Sequence, residues 1–222
     1  MQIKFLGTGA ADWPEKRTTE TFFRRLSSTL IDGVLLIDPG PCVPDALEEY
    51  GISGIKYVLN THRHSDHFNE DTLKMLVDNG AEFVEIPQGA TIKVGKYNIT
   101  ALKGNHSTAE DCTHYIIDDG SKKIFYGLDG AWLLYAEYTA IREMGIDLAI
   151  LDGTTGMEGD IRIFEHNDLN MVITMKKTLK EHVKRFMITH LARTLHKEHQ
   201  LVVKDLAPHG IEVAYDGLEV EV

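Results

Sequence analysis

The sequence has 222 residues, of which 43% are hydrophobic, and this is enough to bury one substantial core. Acidic residues outnumber basic ones by 34 to 23, and the net charge of -11 disfavours a long nucleic acid as a partner. Only Cys42 and Cys112 occur, and their spacing implies neither a disulfide framework nor a thiolate zinc site, which fits a reducing, cytoplasmic location. We therefore expect a single domain over residues 1–222.

Short strands begin the chain and recur along it. Residues 1–5 are predicted to form a strand, without the basic segment and hydrophobic core of a secretion signal. No apolar run approaches the length of about 20 residues that a membrane span needs, so no membrane partner is expected. Further apolar strands are predicted over residues 55–60, 97–102, 123–128 and 185–189.

Helical patterns alternate with these strands. They are predicted near residues 44–49, 70–79, 131–143, 168–183 and 195–205. The fourth carries apolar residues at helical spacing, namely Leu169, Val172, Met175, Leu179 and Val183. Alternation of strands and helices predicts a layered α/β protein.

The segment that follows the strand at 55–60 contains four side chains able to bind metal, in the spacing His62-x-His64-x-Asp66-His67. In an extended approach, side chains two residues apart share a face, so His62 and His64 can converge on one ion. The turn then carries Asp66 and His67 towards a second ion. Imidazole and carboxylate ligands suit zinc, manganese or iron, and this spacing favours a two-metal hydrolytic centre over a polar loop with chance histidines.

The remaining ligands of a two-metal site should lie at the ends of later strands, since such a site needs about six or seven protein ligands. Three residues fit: His106 and His190 follow apolar strands, and Asp129 follows the strand at 123–128. Asp129 is the natural bridge, because a carboxylate can be shared between two cations. Gly130 beside it allows a close approach of the backbone.

In this order of residues the chain resembles the metallo-β-lactamase superfamily. The resemblance implies a four-layer αββα sandwich and two metal ions, most readily zinc or manganese, with iron or nickel also compatible. It also implies that metal-bound hydroxide is the nucleophile and that Asp66 takes part in catalysis. Histidine at position 64, where the diiron reductases of the superfamily carry glutamate, favours hydrolysis over redox chemistry. The implied ligands are His62, His64 and His106 for one ion, Asp66, His67 and His190 for the other, and Asp129 between them.

His166 gives the main indication of the substrate. It opens the predicted helix at 168–183, which Asn167 or Asp168 can cap, and a helix N-terminus favours an anion such as phosphate. A histidine there could bind a phosphoryl oxygen and protonate the leaving alkoxide, although its position alone is equally compatible with no role. The stretch resembles the phosphodiesterase branch of the superfamily, especially the phosphoribosyl cyclic phosphate phosphodiesterases of phosphonate degradation. Those enzymes carry a cysteine-rich zinc site near the N-terminus, whereas the loop from Asp12 to Phe23 has no cysteine.

The sequence therefore predicts a phosphodiesterase that cleaves a small, possibly cyclic, phosphate diester. A lactone, thioester or amide hydrolase of the same superfamily is the alternative, and a non-catalytic metal sensor is a third hypothesis. The sequence does not decide between a monomer and a homodimer.

Several other residues invite weaker interpretations. Asp38 and Asp152 end apolar strands and could orient a ligand histidine or simply cap a turn. Three arginines of the early segment could bind a phosphate ester or could be scattered over the surface, namely Arg17, Arg24 and Arg25. No role is assigned to His114. His196 and His199 also have no assigned role and are expected on a solvated helix face.

Overall fold

Two β-sheets organise the described residues, 1–17 and 22–222, of this computed structural model. The strands are β1 (Gln2–Gly7), β2 (Ser28–Ile31), β3 (Leu35–Ile37), β4 (Tyr57–Leu59), β5 (Glu82–Phe83), β6 (Thr91–Val94), β7 (Tyr97–Lys103), β8 (Thr113–Asp118), β9 (Lys123–Gly127), β10 (Ile146–Asp152), β11 (Val183–Thr189), β12 (Ile211–Val213) and β13 (Glu219–Glu221). The α-helices are α1 (Val43–Glu49), α2 (Glu70–Asp78), α3 (Tyr135–Met144), α4 (Leu169–Leu179) and α5 (His199–Leu206). Two short 3-10 helices cover Ile161–Phe164 and Ala207–His209.

These elements divide between two compact units, one of residues 1–85 with 214–222 and one of residues 86–213. The prediction of a single domain over the whole chain stays a prediction. The early loop from Asp12 to Phe23 lies partly outside the described residues.

The first unit is built on a six-stranded sheet in the order β13-β1-β2-β3-β4-β5. The pairs among β3, β4 and β5 are parallel and the other pairs are antiparallel. All side chains of β3 are buried, which is typical of an apolar run covered on both faces. α2 begins after Asn69, whose side chain accepts a hydrogen bond from the backbone N–H of Thr72. This cap fixes the far end of the loop that leaves β4.

The second unit is built on a seven-stranded sheet in the order β12-β11-β10-β9-β8-β7-β6. Strands β9 to β12 are parallel, and β6 to β9 are antiparallel. The carboxyl ends of β9, β10 and β11 therefore meet at one edge of the sheet, where open α/β folds place ligands. Asp129, Asp152 and His190 lie at these strand ends. The predicted apolar stripe of α4 is confirmed, since Leu169, Val172, Met175 and Leu179 are buried in the core of this unit.

α3 begins later than predicted. The expectation of a helix from residue 131 is wrong, because the backbone there makes hydrogen bonds to distant segments. The N–H of Ala131 donates to the carbonyl of Asn105 at 3.0 Å, and the N–H of Trp132 donates to Oδ1 of Asn167 at 2.9 Å. Trp132 also has a φ of +46°, which a helix cannot accommodate.

Two further helix ends differ from the prediction. α4 ends at Leu179, and Val183 begins β11 instead of extending the helix. α5 begins at His199, so residues 195–198 form a loop and His196 does not share a helix face with His199. In both places pairing or packing with other segments decides the boundary, which local periodicity does not report.

Candidate metal centre

The first cluster of metal-capable side chains lies in the first unit, on the loop between β4 and α2. His62, Asp66 and His67 are buried, and His64 is half-buried. The ring centroid of His62 lies 4.5 Å from that of His64 and 4.5 Å from that of His67. Nε2 of His67 lies 3.3 Å from Oδ2 of Asp66. The four side chains of the sequence motif are therefore brought together.

Asp38 supports this cluster through contacts with His67 and Thr61. Its Oδ2 atom lies 2.8 Å from Nδ1 of His67, and its Oδ1 accepts hydrogen bonds from the backbone N–H and the hydroxyl of Thr61 at 2.7 and 2.9 Å. The Thr61 hydroxyl in turn lies 3.1 Å from Nδ1 of His62. One oxygen of Asp38 thus contacts a histidine, and the other caps the turn at Thr61.

Gly40 explains how the β3 loop approaches the motif so closely. A Cβ atom at this position would lie 2.7 Å from the carbonyl oxygen of Asp66. Any side chain at residue 40 would therefore push the motif loop away.

The second cluster lies in the second unit and joins His106, Asp129 and His190, all of them buried. Nε2 of His190 lies 3.1 Å from Oδ1 of Asp129, and Nε2 of His106 lies 3.9 Å from Oδ2 of Asp129. Each oxygen of the Asp129 carboxylate is thus directed towards a different histidine. Asp129 and His190 have φ values of +55° and +60°, which are uncommon for residues other than glycine and concentrate at functional sites.

Asp152 and Thr154 contact the Nδ1 atoms of His166 and His190. Oδ2 of Asp152 lies 2.8 Å from Nδ1 of His166 and 3.7 Å from Nδ1 of His190. The Thr154 hydroxyl lies 2.7 Å from Nδ1 of His190. Asp152 therefore orients His166 directly, and His190 is held by Thr154, a residue that the sequence analysis missed. The only local signal was its place two residues beyond a strand-end aspartate.

His166 lies two residues before Asp168, the residue that caps α4 by accepting a hydrogen bond from the N–H of Met171 at 2.7 Å. The side chain of His166 is only 12% exposed, and its ring lies 5.5 Å from the ring of His190, in a stacked orientation. Burial lowers the pKa of His166, but the charge and the hydrogen bond of Asp152, with two further carboxylates, outweigh burial and raise this pKa to about 9. The ring is therefore protonated at neutral pH.

His106 is linked to the same segment. Its Nδ1 lies 3.1 Å from the carbonyl oxygen of Glu165, and its ring centroid lies 5.2 Å from that of His166. The hydroxyl of Ser107 donates to the Glu165 carboxylate at 3.1 Å. The loop after β7 and the segment before α4 are thus held together at the cluster.

The chain is similar to known proteins in part of its sequence and in its fold. Residues 23–69, which include the first cluster, match the model of the metallo-beta-lactamase superfamily. A diphosphatase from the PhnP family has a similar solved structure, with a TM-score of 0.76 and 20% identity over 100% of this chain and 97% of that chain. The chain has the metallo-β-lactamase fold. The fold class and the resemblance to the metallo-β-lactamase superfamily, both predicted from the sequence, are confirmed.

Two further solved structures share the metallo-β-lactamase fold over the whole chain. Zn(2+)-bound PqqB from Methylobacterium extorquens has a TM-score of 0.76 and 18% identity, covering 100% of both chains. The short form of human tRNase Z has a TM-score of 0.70 and 16% identity, covering 100% of this chain and 99% of that chain. No curated protein matches the chain in sequence.

The donor groups of this metallo-β-lactamase-fold protein suit divalent metal ions. In His67, His106 and His190 the Nδ1 atom is held by a carboxylate, a main-chain carbonyl and a hydroxyl, respectively. When Nδ1 donates to such an oxygen, Nε2 carries the lone pair, as in most metal-binding histidines. Imidazole nitrogens and carboxylate oxygens are the ligands that zinc and manganese accept.

Arg24 and Arg25 have a structural role that neither interpretation from the sequence included, whereas Arg17 is exposed. Arg24 is buried and donates to the Thr8 hydroxyl and to the carbonyl of Ala214, and burial lowers its pKa to about 10. The backbone N–H of Arg25 donates to Oδ2 of Asp216 at 2.6 Å. Its guanidinium donates to the carboxylate of Glu49 and to the hydroxyl of Tyr50, at the end of α1. Arg24 and Arg25 therefore anchor residues 214–216 within the first unit. Arg17 lies over the ring of Phe23, at 5.9 Å from its centroid.

His196 also differs from expectation. Its Nε2 atom lies 2.7 Å from the carbonyl oxygen of Gly153 and 3.0 Å from that of Thr154. The expectation of a solvated helix face is wrong for this residue, because it folds back onto the loop that carries Thr154. His196 thus supports the loop that supports His190.

Proposed function

We propose that this metallo-β-lactamase-fold protein is a dinuclear metal-dependent phosphodiesterase that acts on a small phosphate diester, cyclic diesters included. The observation that carries the proposal is the position of His166, which is half-buried, hydrogen-bonded to Asp152 and stacked on His190. A protonated imidazole beside a cluster of metal-type ligands suits a reaction in which a poor alkoxide must leave.

The proposed ligands are those expected from the sequence. His62, His64 and His106 would hold one ion, Asp66, His67 and His190 the other, and Asp129 would be shared. Support comes from the two clusters described above and from the two oxygens of Asp129, each directed towards a different histidine. Bound zinc or manganese ions would polarise a phosphoryl oxygen as Lewis acids and lower the pKa of bound water to about 7. Iron and nickel also suit these donors.

The side chains of the protein would complete the reaction. His166 donates a hydrogen bond to the phosphate and passes its proton to the leaving oxygen, while Asp152 keeps the ring in place and stabilises its positive charge. Asp66 accepts a hydrogen bond from the attacking water and so directs it towards phosphorus. The raised pKa of His166 ensures that the proton is present at neutral pH.

A small phosphate ester, in preference to a long nucleic acid, is the proposed substrate. The net charge of -11 opposes broad binding to a polyanion, and Arg24 and Arg25 are engaged inside the first unit. We also propose a cytoplasmic location, since neither Cys42 nor Cys112 forms a disulfide. No helix in residues 1–17 and 22–222 has the length and apolar character needed to cross a membrane.

The proposal is tested with metal-reconstituted protein and four substrates: bis-p-nitrophenyl phosphate, p-nitrophenyl phosphate, a 2′,3′-cyclic nucleotide and a lactone. Asp129→Ala and His166→Ala are compared with the wild type, and His209→Ala, an exposed histidine after α5, is the control. Three results together support the proposal: loss of all diester turnover in Asp129→Ala, a loss in His166→Ala that is large for the cyclic nucleotide and much smaller for bis-p-nitrophenyl phosphate, and full turnover in the control. Turnover of the lactone alone, unaffected by His166→Ala, would establish the alternative hydrolase class, and bound metal without any turnover would indicate a sensor.

A further inference from the structure

His114, a residue of β8 outside the proposed ligand set, is buried together with Glu137 of α3. Its Nδ1 atom is hydrogen-bonded to Oε1 of Glu137, and its Nε2 atom lies 2.9 Å from the carbonyl oxygen of Leu128. Both partners are acceptors, so the ring donates from both nitrogens and carries a positive charge. Burial opposes this charge, but Glu137 and Cys112 outweigh burial and hold the pKa of His114 well above its ordinary value.

The ring of His114 lies against the two turns of the second unit that carry the proposed ligands His106 and Asp129. A Cβ atom on Gly130, next to Asp129, would lie 2.7 Å from Cε1 of His114. A Cβ atom on Gly104, two residues before His106, would lie 2.8 Å from Nε2 of the same ring. The backbone of each turn therefore rests directly on the imidazolium, and only glycine permits that approach.

Other contacts tie the same turns together. Sγ of Cys112 donates to the carbonyl of Asp129 at 3.2 Å, and the carbonyl of Cys112 accepts from the N–H of Gly104 at 2.8 Å. Oε2 of Glu137 accepts from the N–H of Leu134 at 2.7 Å, at the start of α3. Glu137 thus links His114 to the segment that follows Asp129.

The conformation of Asp129 needs such support. Its φ of +55° lies in the left-handed region, and residues held there persist only where the surroundings determine the backbone. The carbonyl of the residue before it is held by His114, and its own carbonyl is held by Cys112. A buried ion pair contributes little net stability on general grounds, so a role in geometry accounts for this pair better than a role in folding energy.

We propose that His114 and Glu137 are positioning residues that set the orientation of Asp129 and His106 for metal binding. This inference rests on the proposed metal site of the second cluster. Loss of such outer support weakens metal binding by about 10- to 100-fold in other proteins, and we expect an effect of this size.

The test uses the full chain with Glu137→Gln and His114→Gln. Glu137→Gln keeps the shape of the side chain and an acceptor for the N–H of Leu134 but removes the charge, so it remains informative if His114→Gln fails to fold. Val202→Ala, a buried position of α5 outside both turns, is the control for a general loss of stability. Zinc affinity is measured by calorimetric titration, ligand geometry by the visible spectrum of the cobalt-substituted protein, and stability by thermal unfolding of the metal-free protein.

We expect Glu137→Gln to bind zinc about 10- to 100-fold more weakly and to show an altered cobalt spectrum. Val202→Ala should keep the wild-type zinc affinity and cobalt spectrum even if its melting temperature falls as far as that of Glu137→Gln. The inference would be overturned if Glu137→Gln kept the wild-type affinity and spectrum, or if Val202→Ala lost as much affinity as Glu137→Gln. Neither result would bear on the proposed function. A wild-type protein that binds no metal would overturn the proposed function as well, and metal binding without diester turnover would overturn only the proposed function.

Discussion

Nδ1 of His166 lies 2.8 Å from Oδ2 of Asp152, although the two residues come from different segments of the second unit. The carboxylate of Asp152 raises the pKa of His166, a half-buried histidine beside His190 that could have been an ordinary helix-start residue. A carboxylate behind an imidazole fixes the tautomer and stabilises the charged ring. The pair therefore gives the proposed phosphodiesterase a defined proton donor.

The first prediction concerns the leaving group. His166→Ala should lower kcat by roughly 100- to 10,000-fold for a diester with an alkyl leaving group, because the alkoxide must be protonated as it leaves. The loss should be much smaller for bis-p-nitrophenyl phosphate, since nitrophenolate leaves without a proton. The measurement is kcat for both substrates with the variant, the wild type and His209→Ala. Equal losses for the two leaving groups would contradict a role as proton donor.

The second prediction concerns Asp38. Asp38→Asn replaces the carboxylate oxygen 2.8 Å from Nδ1 of His67 with a group that can donate, and so favours the wrong tautomer of the ring. We expect zinc affinity to fall by about 10- to 100-fold. Calorimetric titration checks this, with Asp45→Asn on the exposed face of α1 as the control. An unchanged affinity would show that His67 does not depend on Asp38.

The third prediction concerns metal removal. Binding to the folded state alone stabilises a protein, by about 2.7 kcal/mol when the free metal is at 100 times Kd. Chelation should therefore lower the melting temperature of the wild type, and added zinc or manganese should restore it. Asp129→Ala should show a much smaller response to either treatment. A melting temperature that ignores metal in the wild type would contradict the two-metal site.

The fourth prediction concerns the pH dependence of stability. Because the pKa of His114 is raised in the folded state, its stabilisation is fully present below the unfolded pKa of about 6.5 and is lost as the pH rises through the folded-state pKa. The difference in unfolding free energy between the wild type and His114→Gln should thus be largest in mildly acidic solution and should shrink in alkaline solution. Denaturant unfolding of the metal-free proteins over a pH series checks this. A difference that is constant with pH would mean that His114 is not charged in the fold.

The cluster of candidate ligands on the loop after β4 could be predicted because its information is local. His62, His64, Asp66 and His67 follow one strand within six residues, and the turn itself brings their side chains together. The helix cap by Asp168 was predictable for the same reason, since the N–H that it binds belongs to Met171, three residues away. The order of the later strand-end ligands was sufficient to identify the fold.

Only the tertiary structure decided which residues support those candidate ligands. His114 and Glu137 are 23 residues apart, and Thr154 and His190 are 36 apart, so no periodicity or spacing connects them. Arg24 was interpreted as either a phosphate-binding or a surface arginine, but it is buried and donates to the carbonyl of Ala214, which is 190 residues later in the chain. The start of α3 was misplaced because hydrogen bonds from residues 131 and 132 to distant segments compete with helix formation. Local pattern determined the chemistry of this chain, and hydrogen bonds between distant segments determined its geometry, because a buried polar group must find its partner wherever the fold places one.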